Sequence, residues 1–382
     1  MARTLKSDKT LFLLTMLLVG ASLVMVYSAS WLQALNKYNS RYYFLYRQAI
    51  YAGIGLAGMF VAMRIDYREY RRPALIWSML GFTAILLVAV FFFGAVNGAR
   101  RWITVGVSVQ PSELAKLVAV IFTAALLERR MQYVNEFARV LLPIGLMCLA
   151  LVGLILPEPD LGTAAVLVLV VTAMVFAAGL QYRYLFVSLV LMFSGTMALI
   201  LSSDFRRKRF LSFLDPWSDA RGAGYQVTQS MLAIGSGGLF GTGLMQGIQK
   251  LYYLPEPHTD FIYSVVAEEF GLIGTTLMLL CFVAITWRGL RVALLAPDRF
   301  GSFLALGITM IVAIQALMNI SVVTSLLPTK GIPLPFVSNG GSSLVISMIS
   351  MGILLNISQH ASATSRAFAP ARPGWTLDEQ EA

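Results

Sequence analysis

Apolar runs of about 20 residues recur from one end of this 382-residue chain to the other, and each is long enough to cross the roughly 30 Å hydrocarbon core of a bilayer as one helix. In lipid, backbone N–H and C=O groups must pair within their own segment, so such runs predict helices. Ten spans can be placed, at 11–30, 46–63, 74–93, 111–128, 140–156, 162–180, 184–202, 261–287, 302–325 and 341–357. The expectation is an all-α polytopic membrane protein with about ten transmembrane helices. One membrane domain would fill 1–360, with a long, partly helical loop at 203–260 before the eighth span. A tail at 361–382, rich in Ala, Ser and Pro, is expected to be disordered. No internal repeat is visible.

Composition agrees. Hydrophobic residues make up 58% of the chain and charged residues only 13%, against about 25% in soluble domains. The net charge of +10 is explained by loop lysines and arginines that set orientation and meet anionic lipid, not by nucleic acid. With the N-terminus placed inside, the inner segments hold 16 Lys and Arg, while the short outer segments hold 6 when Arg47, just inside the edge of the second span, is counted with Lys37, Arg41, Arg100, Arg101 and Lys330. That bias predicts both termini in the cytoplasm. The first apolar run exceeds a typical signal core and reads as an uncleaved span. Cys148 and Cys281 both fall inside apolar runs, so no disulfide framework is implied. Two histidines cannot build a His-rich metal site, which leaves room only for a carboxylate site for a hard cation such as Mg or Mn.

The hydrophilic motifs gather on the outer side. Leu254–Gly271 reads LPEPHTDFIYSVVAEEFG and places Glu256, His258 and Asp260 just ahead of the eighth span. An aspartate there is either a helix N-cap or a working carboxylate, and the local sequence does not separate the two. Pro111 suits the first turn of the fourth span, which sets Glu113 and Lys116 one turn apart on a single face. Charges at that depth are expensive and face either each other or a wet cavity. Arg100 and Arg101 precede Trp102 and can anchor at the interface or bind a phosphate. The basic run Arg206–Phe210 poses the same choice, with lipid headgroups the ordinary partner. Gly235–Gly243 lacks the Lys-Ser/Thr ending of a phosphate loop and is expected to form flexible turns. The sequons at Asn319 and Asn356 lie in or at the end of spans and carry no meaning. Lys330, in LLPTKGIPLPFVSNGGSS (Leu326–Ser343), sits in a rigid, re-entrant-looking element on the side disfavoured for cations, which favours a substrate role.

Together, GARRWI, QPSELAK, PEPDLGT, LDPWSDARGAGYQVTQSMLAIGSGG, PEPHTDFIYSVVAEEFG and LPTKGIPLPFVSNGGSS resemble the SEDS family (shape, elongation, division and sporulation) of bacterial peptidoglycan polymerases. The resemblance spans roughly residues 10–358. Asn97-Gly98 before Ala99-Arg100-Arg101, and the Thr329-Lys330 pair, are similar to the division member more than to the elongation member. Asn339 departs from the tyrosine usual before the Gly-Gly-Ser-Ser run. The resemblance implies a glycosyltransferase that extends glycan strands from lipid II on the outer face of the inner membrane, with Asp260 as the required carboxylate and general base. It also implies an undecaprenyl-diphosphate-linked strand, a class B penicillin-binding protein and other divisome membrane proteins as partners. Lys330, Arg100, Arg101 and Lys116 become candidates for holding the diphosphate, with a divalent cation as a further aid. Glu113, His258, Ser338 and Ser342 join the expected substrate-binding set. A different class, a flippase for the same lipid, would also suit many spans and broken helices, but it needs polar groups along a path to both faces.

Overall fold

The computed structural model describes residues 7–94, 100–105, 107–222, 224–251 and 253–367. Its helices are α1 (Lys9–Tyr38), α2 (Tyr43–Arg64), α3 (Pro73–Ala89), α4 (Pro111–Arg130), α5 (Leu142–Ile155), α6 (Leu161–Ala177), α7 (Tyr182–Leu201), α8 (Asp204–Leu214), α9 (Tyr225–Gly237), α10 (Ile262–Leu295), α11 (Arg299–Val323) and α12 (Ser342–Ala367). Eight segments, built on α1, α2, α3, α5, α7, α10, α11 and α12, are long and apolar enough to cross a membrane, and α6 is a shorter apolar helix. α4 has the length, but Glu113, Lys116 and the closing run Glu128, Arg129 and Arg130 make it too highly charged to count with them. With these two, all ten expected spans are helical. α12 runs beyond the expected end of the last span, and the tail expected to be disordered lies outside the described residues from 368 onward.

Capping fixes several helix starts. Asp8, Asp160 and Asp298 accept backbone N–H bonds at the beginnings of α1, α6 and α11, and Pro111 opens α4. The centre of the bundle is α11 and α12, whose apolar windows are 61% and 72% buried, whereas α7 buries only 6% and presents its side chains to lipid. A small element escaped the sequence reading. Ile103–Val105 (β1) pairs antiparallel with Val107–Val109 (β2), because the alternation Ile103, Val105, Val107, Val109 is a strand pattern.

The loop 203–260 contains α8 and α9, then an irregular stretch that the glycine cluster makes possible. α10 is interrupted at Gly271 (φ 64°, ψ −159°), a conformation reserved for glycine. Into this break fits the segment after α9. Thr242 and Gly243 N–H donate to the Glu268 and Glu269 carbonyls, while Leu272 and Ile273 N–H donate to those of Gly238 and Leu239. The interrupted helix thus regains partners from its neighbour, the condition for irregular backbone at membrane depth. The glycines expected as flexible turns instead allow close backbone approach. A Cβ on Gly241 would lie 2.1 Å from the Glu269 carbonyl oxygen. Below the break, Lys250 pairs with the buried Glu269, which also accepts from Ser28 of α1, and the Glu268 carboxylate accepts from Ile248 and Gln249 N–H.

At the opposite end of the bundle, Asp8 N–H donates to Ser358 and the Asp8 carboxylate pairs with Arg288. Nearby, Tyr67 bonds to Asn356 and Asp298. Both ends of the described chain therefore share one end of the bundle, as an even number of spans requires.

Candidate active site

Three hydrophilic motifs converge at the other end. Asp260 lies two residues before α10, but the cap position is Phe261 and no side chain caps the helix. Among the described residues the Asp260 carboxylate accepts no hydrogen bond, so it is not spent on its own backbone. It lies against the re-entrant element instead. A Cβ on Gly331 would come 2.8 Å from Asp260 Oδ2, so only glycine admits the carboxylate there. Asn319 of α11 fixes the relation between the two strands of chain, its amide donating to the Asp260 carbonyl at 2.8 Å and to the Ile332 carbonyl at 2.7 Å.

The side chain of Asp260 is partly exposed yet crowded by protein, and its pKa is pushed up to about 7. Burial is the main cause; Glu256 and Asp160 push the same way, and Arg101 and Arg209 oppose them. Lys330 stands beside Gly331, its pKa lowered by burial and partly held up by Asp160. Its ammonium makes no hydrogen bond among the described residues. Arg209 of α8, in the run expected to touch headgroups, feels both Asp260 and Arg101, and burial lowers its pKa. The Arg101 guanidinium donates to the carbonyls of Glu158 and Pro159, holding the turn before α6. Arg100 donates to the Phe91 carbonyl and remains exposed. Asp160 is committed, accepting from Thr163 N–H, the Thr163 hydroxyl, Gln110 and Ser112. Glu158 is buried with neither carboxylate oxygen hydrogen-bonded, and burial next to Asp160 pushes its pKa up to about 8.

Several residues expected to touch substrate are placed elsewhere. Glu113 and Lys116 are 2% and 3% exposed and pair at 2.9 Å. Lys116 also donates to Gln315 of α11, whose amide donates to the Pro333 carbonyl, and Glu113 accepts from Ser343 at the start of α12. The pair is a brace that ties α4 to α11 and to the re-entrant element. The Ser338 hydroxyl accepts from Leu334 N–H and that of Ser342 from Gln110 N–H, so both are used on backbone. His258 is buried against Phe44, with ring centroids 4.5 Å apart, and burial and then Lys37 push its pKa down to about 4, leaving a neutral ring. Its carbonyl accepts from Asn339 N–H, a bond independent of the side chain at 339. Asn97, Gly98 and Ala99 lie outside the described residues.

Asp160, Arg209 and Asn319 are not among the site residues expected from sequence. Asn319 had a signal, since an amide deep in an apolar run must find a buried partner; Arg209 had one only as part of the basic run Arg206–Phe210, where headgroup contact is the ordinary reading, because its neighbours in space are remote in sequence. If Asn319 sets the register between Asp260 and Lys330, Asn319→Ala lowers the chemical rate by about 10²-fold, the cost of a displacement of about 1 Å, and leaves extraction and monodispersity in detergent unchanged.

Among the described residues no three or more His, Cys, Asp or Glu side chains are arranged to hold a metal ion. Asp160 is already committed, so among the described residues no cage of three carboxylates is available to a divalent cation. A cavity of about 410 Å³ lined by Phe60, Arg64, Asp66, Asn356 and His360 lies at the opposite end, away from Asp260.

A multi-pass α-helical bundle with one polar, cation-flanked end is the class that fold and site define. The family model described as "cell cycle protein", covering FtsW, RodA and SpoVE, matches residues 8–363, and the chain belongs to this family. It is 45% identical over 361 residues to the probable peptidoglycan glycosyltransferase FtsW of Geobacter metallireducens, covering 94% of this chain and 96% of that one. It is 44% identical over 358 residues to the stage V sporulation protein E of Bacillus subtilis, covering 93% and 97%. Among solved structures, the rod shape determining protein RodA of Thermus thermophilus superposes with a TM-score of 0.68 at 30% identity, covering 93% and 97%. A chain of a peptidoglycan synthase complex that coordinates polymerization and crosslinking superposes at 0.77 with 29% identity, covering 94% and 99%.

Proposed function

We propose that this chain polymerises lipid II into glycan strands on the outer face of the cytoplasmic membrane, with Asp260 as the general base. The observation that carries the reading is the state of Asp260: a carboxylate with no hydrogen-bond partner among the described residues, raised to a pKa of about 7, beside Lys330, Arg101 and Arg209. A positioned base with a pKa near the working pH contributes about 10²–10⁴ in rate. The sugar hydroxyl gives its proton to Asp260 as its oxygen bonds to the anomeric carbon, and the bond from that carbon to the lipid diphosphate breaks. The diphosphate leaves as an anion without needing a proton, so one carboxylate suffices where glycoside hydrolases use two. What it needs is positive charge held in place. Lys330, next to Gly331 and with no hydrogen bond of its own among the described residues, is one such cation, and Arg101 and Arg209, whose charges act on Asp260, are the others. A divalent cation would have to arrive on the diphosphate. Glu113, Lys116, Ser338 and Ser342 shape the site from behind.

The test is synthesis of strands by purified protein in detergent from lipid II alone. A flippase needs two compartments and would make none. The pH profile gives a second check. The base works only when ionised, so log kcat/KM should climb by about one for each pH unit below about 7 and level off above it. A profile flat from pH 5 to 8 would exclude Asp260 as the base.

By likeness to the synthase complex, the partner is a class B penicillin-binding protein that crosslinks the strands. The relatives named FtsW favour a place in cell division at the septum, with other divisome proteins, over sporulation or elongation. A tagged copy at mid-cell supports that placement, and one spread along the wall opposes it.

A further inference from the structure

The mechanism leaves a cluster of aromatic rings unused. Residues 36–51, joining α1 to α2, hold Tyr38, Tyr42, Tyr43, Phe44, Tyr46 and Tyr51, three cations and no acid. The rings touch in series. Tyr38 stacks on Tyr43 at 3.7 Å, Tyr43 meets Phe44 edge-on at 5.3 Å, and Phe44 lies 4.5 Å from His258. A second set, Tyr27, Tyr42 and Tyr46, runs alongside with centroids 5.5 and 6.2 Å apart. Tyr38, Tyr42 and Tyr46 are exposed by 39%, 48% and 65%. Lys37 and Arg47 sit over the rings of Tyr38 and Tyr43, and Arg47 also donates to Ser108 of the β-hairpin, which fixes the cluster to the rim.

We infer that this aromatic rim is the binding track for the growing glycan strand, which it grips between successive additions. The inference rests on the polymerase reading. Pyranose rings offer apolar C–H faces and hydroxyl edges, and rigid rings with a polar tip match both at low entropic cost. The strand's peptide branches carry carboxylates, to which Lys37 and Arg41 are complementary. Tyrosines at a bilayer surface also serve as anchors, but an anchor needs only lipid on one side. Here one of the two sets continues inward from Tyr38 and Tyr43 through Phe44 to His258, two residues from Asp260, and so joins the rim to the proposed reaction centre.

Tyr38→Ala/Tyr42→Ala protein, which loses one exposed ring from each set, should make strands about two- to tenfold shorter than wild type at equal lipid II consumed, the loss expected from removing aromatic contacts. Tyr38→Phe/Tyr42→Phe should restore their length, since the ring face makes the contact. A length distribution identical to wild type, with thermal stability lowered only in lipid nanodiscs, would mean that the rings anchor to the bilayer and would overturn the inference. Binding is measured separately with short uncrosslinked peptidoglycan glycan fragments by saturation-transfer NMR, in Asp260→Asn protein. Magnetisation transfer lost with the alanine pair and kept with the phenylalanine pair supports the track; equal transfer in all three refutes it. Polymerisation by Asp260→Asn would instead defeat the base assignment and leave this binding result intact.

Discussion

Asp260→Asn is expected to abolish polymerisation, by about 10²–10⁴-fold or to below detection, and to leave the protein at least as stable as wild type at pH 8. The second half follows from the sign of the shift. A carboxyl raised from 3.8 to about 7 is disfavoured as an anion in the folded protein, so folding loses stability as pH rises from the unfolded value through the folded one. An amide of the same shape carries no charge and escapes that penalty. Had Asp260 been an ordinary N-cap, Asp260→Ala measured beside it would destabilise by about 0.5–2 kcal/mol, whereas Asn, itself a good cap, would lose only the charge–dipole part. Activity and thermal unfolding measured on one preparation separate the two roles. A variant that polymerises well, or that melts clearly below wild type, counts against the assignment.

The second large effect concerns Glu113 and Lys116. Lys116→Met strands a buried carboxylate, and breaking a buried pair from one side costs about 3–5 kcal/mol. Activity should fall with stability, because the pair holds Gln315 and, through it, Pro333 of the element that carries Lys330. Glu113→Gln/Lys116→Met removes both charges and should recover most of the stability. Recovery in the double variant would identify the pair as a brace. Wild-type stability in the single variant, with loss of lipid II binding alone, would return it to the substrate.

Much of this was legible in the chain. The ten spans follow from run length, because lipid leaves the backbone few alternatives. Glu113 and Lys116 were expected on one inward face, where they lie, since helical spacing and the expense of charge in lipid are local facts. Their pairing with each other was one of two readings the sequence left open, and what the pair ties together was not legible, for it depends on Gln315 and Ser343 in distant segments. The glycine cluster was read as loose turns because its partner, the break at Gly271, lies a span away. Asn319 reads in sequence only as a meaningless sequon, because its two carbonyl partners belong to loops that only folding brings together.

Helix number and class, and the gathering of motifs toward one end, were settled by residue order alone, since they rest on hydropathy and spacing along a single segment. Tertiary structure decided which polar groups are consumed by other parts of the chain and which stay available. That difference separates Ser338, Ser342, Glu113 and Lys116 from Asp260 and Lys330. A side chain's availability depends on neighbours supplied by other helices, and no reading of one segment contains them.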